Sequence, residues 1–217
     1  MADRPVIFSA PMVKALLDGR KSQTRRVLKL PKRTHSGGPI YERPDMGGWA
    51  ATTIGGGGCF TVGRDGRRLP VPERPAIWHQ TTGVVMALPF DVGDRLWVRE
   101  AHAFDSVLVR YYATDDVHEL RKKRSPIHMP RWASRITLTV TDVRVQRLQE
   151  ISGEDCLAEG ACEAAFLPLT DQDAEEAREA FRSLWTSLHG PDAWSKNPWI
   201  CALTFTVSRG NIDGGAA

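Results

Sequence analysis

Gly93-Asp94-Arg95-Leu96-Trp97-Val98-Arg99-Glu100 is the stretch whose reading decides the fold class. Its apolar and charged side chains alternate. That period of two marks a β-strand with one buried and one exposed face, over residues 95–101. Working outward, residues 84–88, 107–113, 136–145 and 199–207 are further strand candidates. Strands of this kind, joined by turns, predict a small twisted sheet or barrel.

Helical signals frame these strands. Val6-Ile7-Phe8 reads as a short strand, Ser9 as an N-cap, and Pro11 as a first-turn residue. Met12, Ala15 and Leu16 recur at helical spacing, and Gly19 supplies the stop. Val27-Leu28 then continues as a strand. Ser152-Gly153-Glu154-Asp155 has the form of a capping box opening a short helix that ends near Gly160, with Glu159 in its last turn. A longer helix is expected over about residues 170–189. Its stripe of Ala174, Ala177, Phe181, Leu184, Trp185 and Leu188 reads as a core face rather than a cofactor site. Residues 31–83 are broken by Gly and Pro, which predicts a long insertion or extended flap and not a packed core. Trp49, Phe60 and Trp78 either pack that flap down or offer stacking faces. Residues 210–217 are expected to form a loose tail. The whole is read as one α+β domain over residues 1–217.

Composition narrows the function classes. The 217 residues carry a net charge of +3, too mild to indicate nucleic acid by itself. The charge is unevenly spread: residues 14–33 and 121–135 are basic, and residues 150–179 are acidic, which suits a one-sided anionic ligand. Cys59, Cys156, Cys162 and Cys201 contain no Cys-x-x-Cys pair and no histidine at zinc spacing, so they are read as reduced structural thiols, with no metal and no cofactor. The chain shows no signal peptide and no apolar run of membrane-spanning length. A cytoplasmic protein with no membrane partner is therefore the expectation.

Gly19-Arg20-Lys21-Ser22-Gln23-Thr24-Arg25-Arg26 concentrates the chemistry. A lysine three residues before a threonine can place an amine beside a hydroxyl and take its proton. The flanking arginines suit phosphates or carboxylates. A solvated basic turn, or a simple phosphate site, accounts for the same residues.

These segments together resemble the ASCH domain. The resemblance rests on Gly19 to Arg26, on Gly93 to Glu100, and on Leu148-Gln149-Glu150-Ile151-Ser152 with Ala158-Glu159-Gly160. Ile127-His128-Met129-Pro130-Arg131-Trp132-Ala133-Ser134-Arg135 is similar to a longer subgroup common in phage and prophage genomes. The resemblance covers roughly residues 5–30 and 84–207. It implies a PUA-like β-barrel with flanking helices, here with the Gly/Pro-rich insertion at 31–83 and the helix at 170–189 added to the minimal domain.

Small bacterial members of that family are amidohydrolases that remove the acyl group from N4-acylated cytidine, using a lysine, a threonine three residues later and a glutamate. The resemblance thus implies a hydrolase of a non-peptide C–N bond with catalytic residues Lys21, Thr24 and Glu159. Glu100 competes for the glutamate role. Arg26, Arg25, Glu100, Arg131 and Trp132 are the implied substrate-binding residues, and a modified cytidine is the implied partner. Two roles for Lys21 stay open: base toward Thr24, or oxyanion stabiliser with water as nucleophile. Two other functions also stay open: a PUA-like module binding RNA or another single-stranded nucleic acid, and an RNA nuclease. The basic clusters favour those two; the Arg131-Trp132 pair suits base stacking and equally suits a strand edge.

Overall fold

The computed structural model describes residues 1–41, 47–104, 108–115, 123–161 and 169–214. In chain order the elements are β1 (Asp3–Ile7), α1 (Ala10–Leu17), β2 (Gln23–Val27), β3 (Trp49–Ile54), β4 (Phe60–Val62), β5 (Arg68–Pro70), β6 (Arg74–His79), β7 (Val85–Ala87), β8 (Arg95–Arg99), β9 (His102–Phe104), β10 (Val109–Tyr111), β11 (Ile136–Arg147), α2 (Gly153–Ala158), α3 (Asp171–His189) and β12 (Trp199–Arg209). The architecture is mixed α+β and mostly sheet. Among the described residues, no helix is long and apolar enough to cross a membrane.

The central sheet has five strands in the order β1-β8-β11-β12-β2. β1 runs parallel to β8, and the other three pairings are antiparallel. β1 and β2 are therefore the two edges, and α1 carries the chain from one to the other. No ladder joins these edges among the described residues, so the sheet does not close into a hydrogen-bonded barrel. A side chain bridges them instead: Arg26 Nη2 donates to the Ile7 carbonyl at 2.8 Å.

Local signals account for α1. Ser9 is its N-cap residue, Pro11 lies in the first turn, and Val13, Ala15 and Leu16 face inward. At the far end the Gly19 and Arg20 N–H groups return to the Leu16 and Ala15 carbonyls, satisfying groups the helix leaves unpaired. Val13 and Leu16 join Leu96, Val98, Leu138, Leu203 and Phe205 in the main core. A second core lies under α3, where Phe181, Trp185 and Ala177 meet Leu148, Ile151, Cys156 and Ile200.

Gly153 fixes how α2 meets α3. A Cβ there would stand 2.6 Å from both Cα and Cβ of Ala174, so the two helices would have to separate. Gly153→Ala should lower unfolding free energy by about 1–3 kcal/mol, the usual cost of overpacking, read by urea denaturation. An unchanged midpoint would mean that the helices part freely.

Several expectations hold. Residues 95–99 form a central strand, with Leu96 and Val98 buried. The second face is not the exposed one that the alternation predicts: Trp97 there is also buried, with the Arg99 guanidinium 4.5 Å over its ring. Ser152 caps α2, accepting from the Asp155 N–H, and Thr170 caps α3. Cys156 and Cys201 are buried, and Cys59 is exposed. Cys162 lies outside the described residues.

Three expectations are corrected. The strand expected at Val27-Leu28 begins at Gln23, inside the basic motif, because residues 23–27 pair with β12. Residues 31–83 are not a flap apart from the core. β3 and β6 pair along six residues and deliver buried Trp49 and Ile77 to the main core. The β4–β5 hairpin does have the exposure expected of a flap; its Phe60 is exposed, with Arg68 4.1 Å over the ring. The tail is anchored through residue 214. The Asn211 amide donates to the Arg131 and Ser134 carbonyls at 2.8 Å each, Ile212 is buried, and Asp213 pairs with Arg131. Residues 215–217 lie outside the described residues.

Candidate active site

The turn after α1 sends Lys21 inward, against the end of α2. Lys21 is 1 % exposed. Its Nζ donates to Glu159 Oε2 at 2.5 Å and to the Glu159 carbonyl at 2.7 Å. Ser22 N–H donates to the Ala158 carbonyl. The C-terminal carbonyls of α2 are thus met by an ammonium and an amide, the partners its dipole favours. Gly160 permits this close approach. Its φ is +72°, and a Cβ would lie 3.0 Å from Ala15 Cβ and 3.2 Å from Lys21 Cβ.

Arg25 braces the same carboxylate from β2. Its Nη1 donates to Glu159 Oε1 at 3.2 Å and its Nη2 to Asp155 Oδ2 at 2.6 Å. Arg144 of β11 and the Gln23 amide also bond Asp155. Burial raises the Asp155 carboxyl, but its Arg144, Arg25 and Gln23 partners outweigh that and hold it below its ordinary value. Arg25 is thereby committed to holding Glu159 in place.

Burial is the largest influence on Lys21 and lowers its pKa. Glu159 opposes the shift, and Arg26 and Arg25 reinforce it. The net direction is down. Phe8 adds an aromatic face 5.5 Å from Nζ, which favours the cation modestly. Arg26 lies 5.3 Å over the same ring.

A cavity of about 290 Å³ opens onto this cluster. Lys21, Thr24, Arg25, Arg26 and Glu159 all line it. Thr24, 4 % exposed, bonds no other described residue through its hydroxyl. One wall comes from the end of β1 and the start of α1: Ile7, Phe8, Ser9 and Met12. The other comes from α3: Phe181, Leu184, Trp185, Leu188 and His189. A buried amine of lowered pKa, a hydroxyl and a carboxylate at one cavity form an array capable of acyl transfer.

The other expected binding residues lie elsewhere. Glu100 is buried at the end of β8, where Arg135 grips it through Nε and Nη2 at 2.8 and 2.9 Å. Glu159, not Glu100, is the glutamate at Lys21. Arg131 is held by Asp213 at 2.7 Å and by Asp3. Trp132 is 65 % exposed and stacks on Phe104 at 5.5 Å, with Arg124 4.8 Å over the Phe104 ring. None of these lines the cavity. Among the described residues, no group of three His, Cys, Asp or Glu is placed to hold a metal ion.

Sequence reading missed the α3 wall. Its apolar stripe is indistinguishable in pattern from a core face, and Phe181 and Trp185 are indeed buried, yet Leu188 is exposed at the cavity mouth. It also missed Phe8 and Ser9, which carried no chemical signature of their own. Compared with protein-family models, curated proteins and solved structures, the chain matches none.

Proposed function

We propose that this protein is an ASCH-type amidohydrolase that removes the acyl group from N4-acylated cytosine nucleosides or bases. The observation that carries the reading is the meeting of Lys21, Thr24 and Glu159 at one cavity, with Lys21 buried and bonded to a residue 138 positions away. The PUA-like barrel belongs to the same proposal. Its support is the approach of the two sheet edges, spanned by α1 and by the Arg26 to Ile7 contact.

In this mechanism the Thr24 hydroxyl attacks the acyl carbonyl carbon. The neutral amine of Lys21 takes the hydroxyl proton and returns it to the departing N4 nitrogen as the C–N bond breaks. Cytosine leaves with an amino group, and the acyl group stays on Thr24 as an ester. Water then attacks the ester carbonyl carbon; Lys21 accepts the water proton and returns it to the Thr24 oxygen as the ester C–O bond breaks, so that the acyl group leaves as a carboxylic acid and both side chains are restored. Glu159 fixes Lys21 Nζ, Arg25 fixes Glu159, and Arg26 supplies positive charge on the wall beside Thr24. The leaving group is activated, since the pyrimidine ring withdraws electrons from its nitrogen. A cavity near 290 Å³ is at the small end for ligand sites, which fits a free nucleoside or base better than a polymer.

A nucleic-acid-binding module is the second reading, and one observation favours it. Trp132 presents an exposed aromatic ring stacked on Phe104, over whose ring Arg124 also lies, in the manner of a base-stacking platform. Incubation with N4-acetylcytidine separates the two. Conversion of its ultraviolet spectrum to that of cytidine is expected. No conversion, combined with retention of labelled single-stranded RNA that Trp132→Ala abolishes, would overturn the enzymatic reading in favour of the binding module.

A further inference from the structure

We infer that the α3 wall selects the acyl group, so that extended aliphatic N4-acylcytosines are better substrates than the acetyl compound; this rests on the amidohydrolase reading above. The amide under attack lies in the middle of such a substrate, with the pyrimidine on one side and the acyl chain on the other. The cavity has two unlike walls to receive them. A pyrimidine brings a carbonyl and a ring nitrogen that need donors. Ser9 belongs to the β1–α1 wall, and the Arg26 guanidinium lies against it, bonding the Ile7 carbonyl and standing over the Phe8 ring. That wall is therefore the base side.

The α3 wall offers different chemistry. Phe181 and Trp185 form a buried floor, and Leu184 and Leu188 continue it outward. His189 lies against the Trp185 ring at 4.3 Å, and the only other polar atom of these side chains is the buried Trp185 Nε1. Leu188 is 59 % exposed, a large apolar side chain left open at the mouth. A flexible chain of methylenes leaving the carbonyl would cover it. Each methylene removed from water is worth about fourfold in kcat/KM when fully buried. The mouth is open, so partial cover is the reasonable expectation, and about tenfold separates a hexanoyl from an acetyl chain.

The test compares N4-acetyl-, N4-butyryl- and N4-hexanoylcytidine, a series whose amides differ little in intrinsic reactivity. kcat/KM is expected to rise with chain length, reaching about tenfold at hexanoyl. Leu184→Gln/Leu188→Gln should flatten the series to less than about threefold. Leu188→Gln alone, at an exposed position where folding is not at stake, should flatten it partially. A series already flat in the native protein, or one that stays steep in both variants, overturns the α3 assignment while leaving the amidohydrolase reading intact. Turnover of none of the three compounds overturns that reading, and this proposal with it.

Discussion

Replacing Lys21 by Arg should reduce turnover of an N4-acylcytidine by about 10³-fold, although the positive charge is kept. A guanidinium stays protonated in proteins and cannot take the Thr24 proton. Loss of a general base or its nucleophile typically costs about 10²–10⁴-fold, so Thr24→Ala belongs in the same range. Thr24→Ser keeps a hydroxyl and should retain measurable activity. A base and the nucleophile it serves act as a unit, so the double variant Lys21→Met/Thr24→Ala should be no worse than the poorer single. Steady-state kinetics measures this, with circular dichroism as the control for folding. A role limited to gripping phosphate gives the opposite ranking: Lys21→Arg would be tolerated, and Thr24→Ala would weaken binding only slightly. Robust turnover by a folded Lys21→Arg protein would end the catalytic reading.

How much of this site could be read in advance depended on how local its causes were. Lys21 and Thr24 were legible because a capped helix, a glycine stop and a strand follow one another within twenty residues, and each announces itself by residue type. Glu159 was legible only through resemblance. Its contact with Lys21 spans 138 positions, and no periodicity encodes a contact of that range. Arg25 shows the limit within the motif itself. Sequence made it a substrate-facing cation like its neighbour Arg26. Strand alternation turns it instead toward Asp155 and Glu159, where both partners come from α2 and its cap. The insertion failed for a similar reason. Gly and Pro report turns faithfully, and the run Gly55 to Gly58 does end β3. Burial of Trp49 and Ile77, however, depends on the pairing of β3 with β6 and on the sheet they cover. The tail was misjudged because small and polar residues suggest looseness, whereas Asn211 has a side-chain amide that caps several carbonyls at once.

Glu159→Gln should be the most damaging single change to stability. Glu159 is the carboxylate paired with Lys21, and both side chains are almost fully buried. Removing one partner of a buried pair strands the other charge, and such changes cost about 3–5 kcal/mol. The sign of the pH dependence follows from Lys21. Its pKa in the folded chain lies below the 10.5 of an unburied lysine. Between the two values the folded chain binds fewer protons than the unfolded one, so stability rises with pH across that window and levels off above about 10.5. In Glu159→Gln the carboxylate no longer opposes the shift, and the window extends to lower pH. The deficit of the variant against the native protein should therefore be largest near neutrality and shrink as pH approaches 10. Lys21→Met/Glu159→Gln removes both charges and should be more stable than Glu159→Gln alone, since no ammonium is left to desolvate. Guanidinium denaturation at several pH values from 7 to 10 measures all three proteins. A deficit that stays constant over this range, or a double variant weaker than the single, would mean that Lys21 is not the stranded charge. The proposed acyl-transfer mechanism would then lose its lowered-pKa base, because it needs the same burial that disfavours the ammonium.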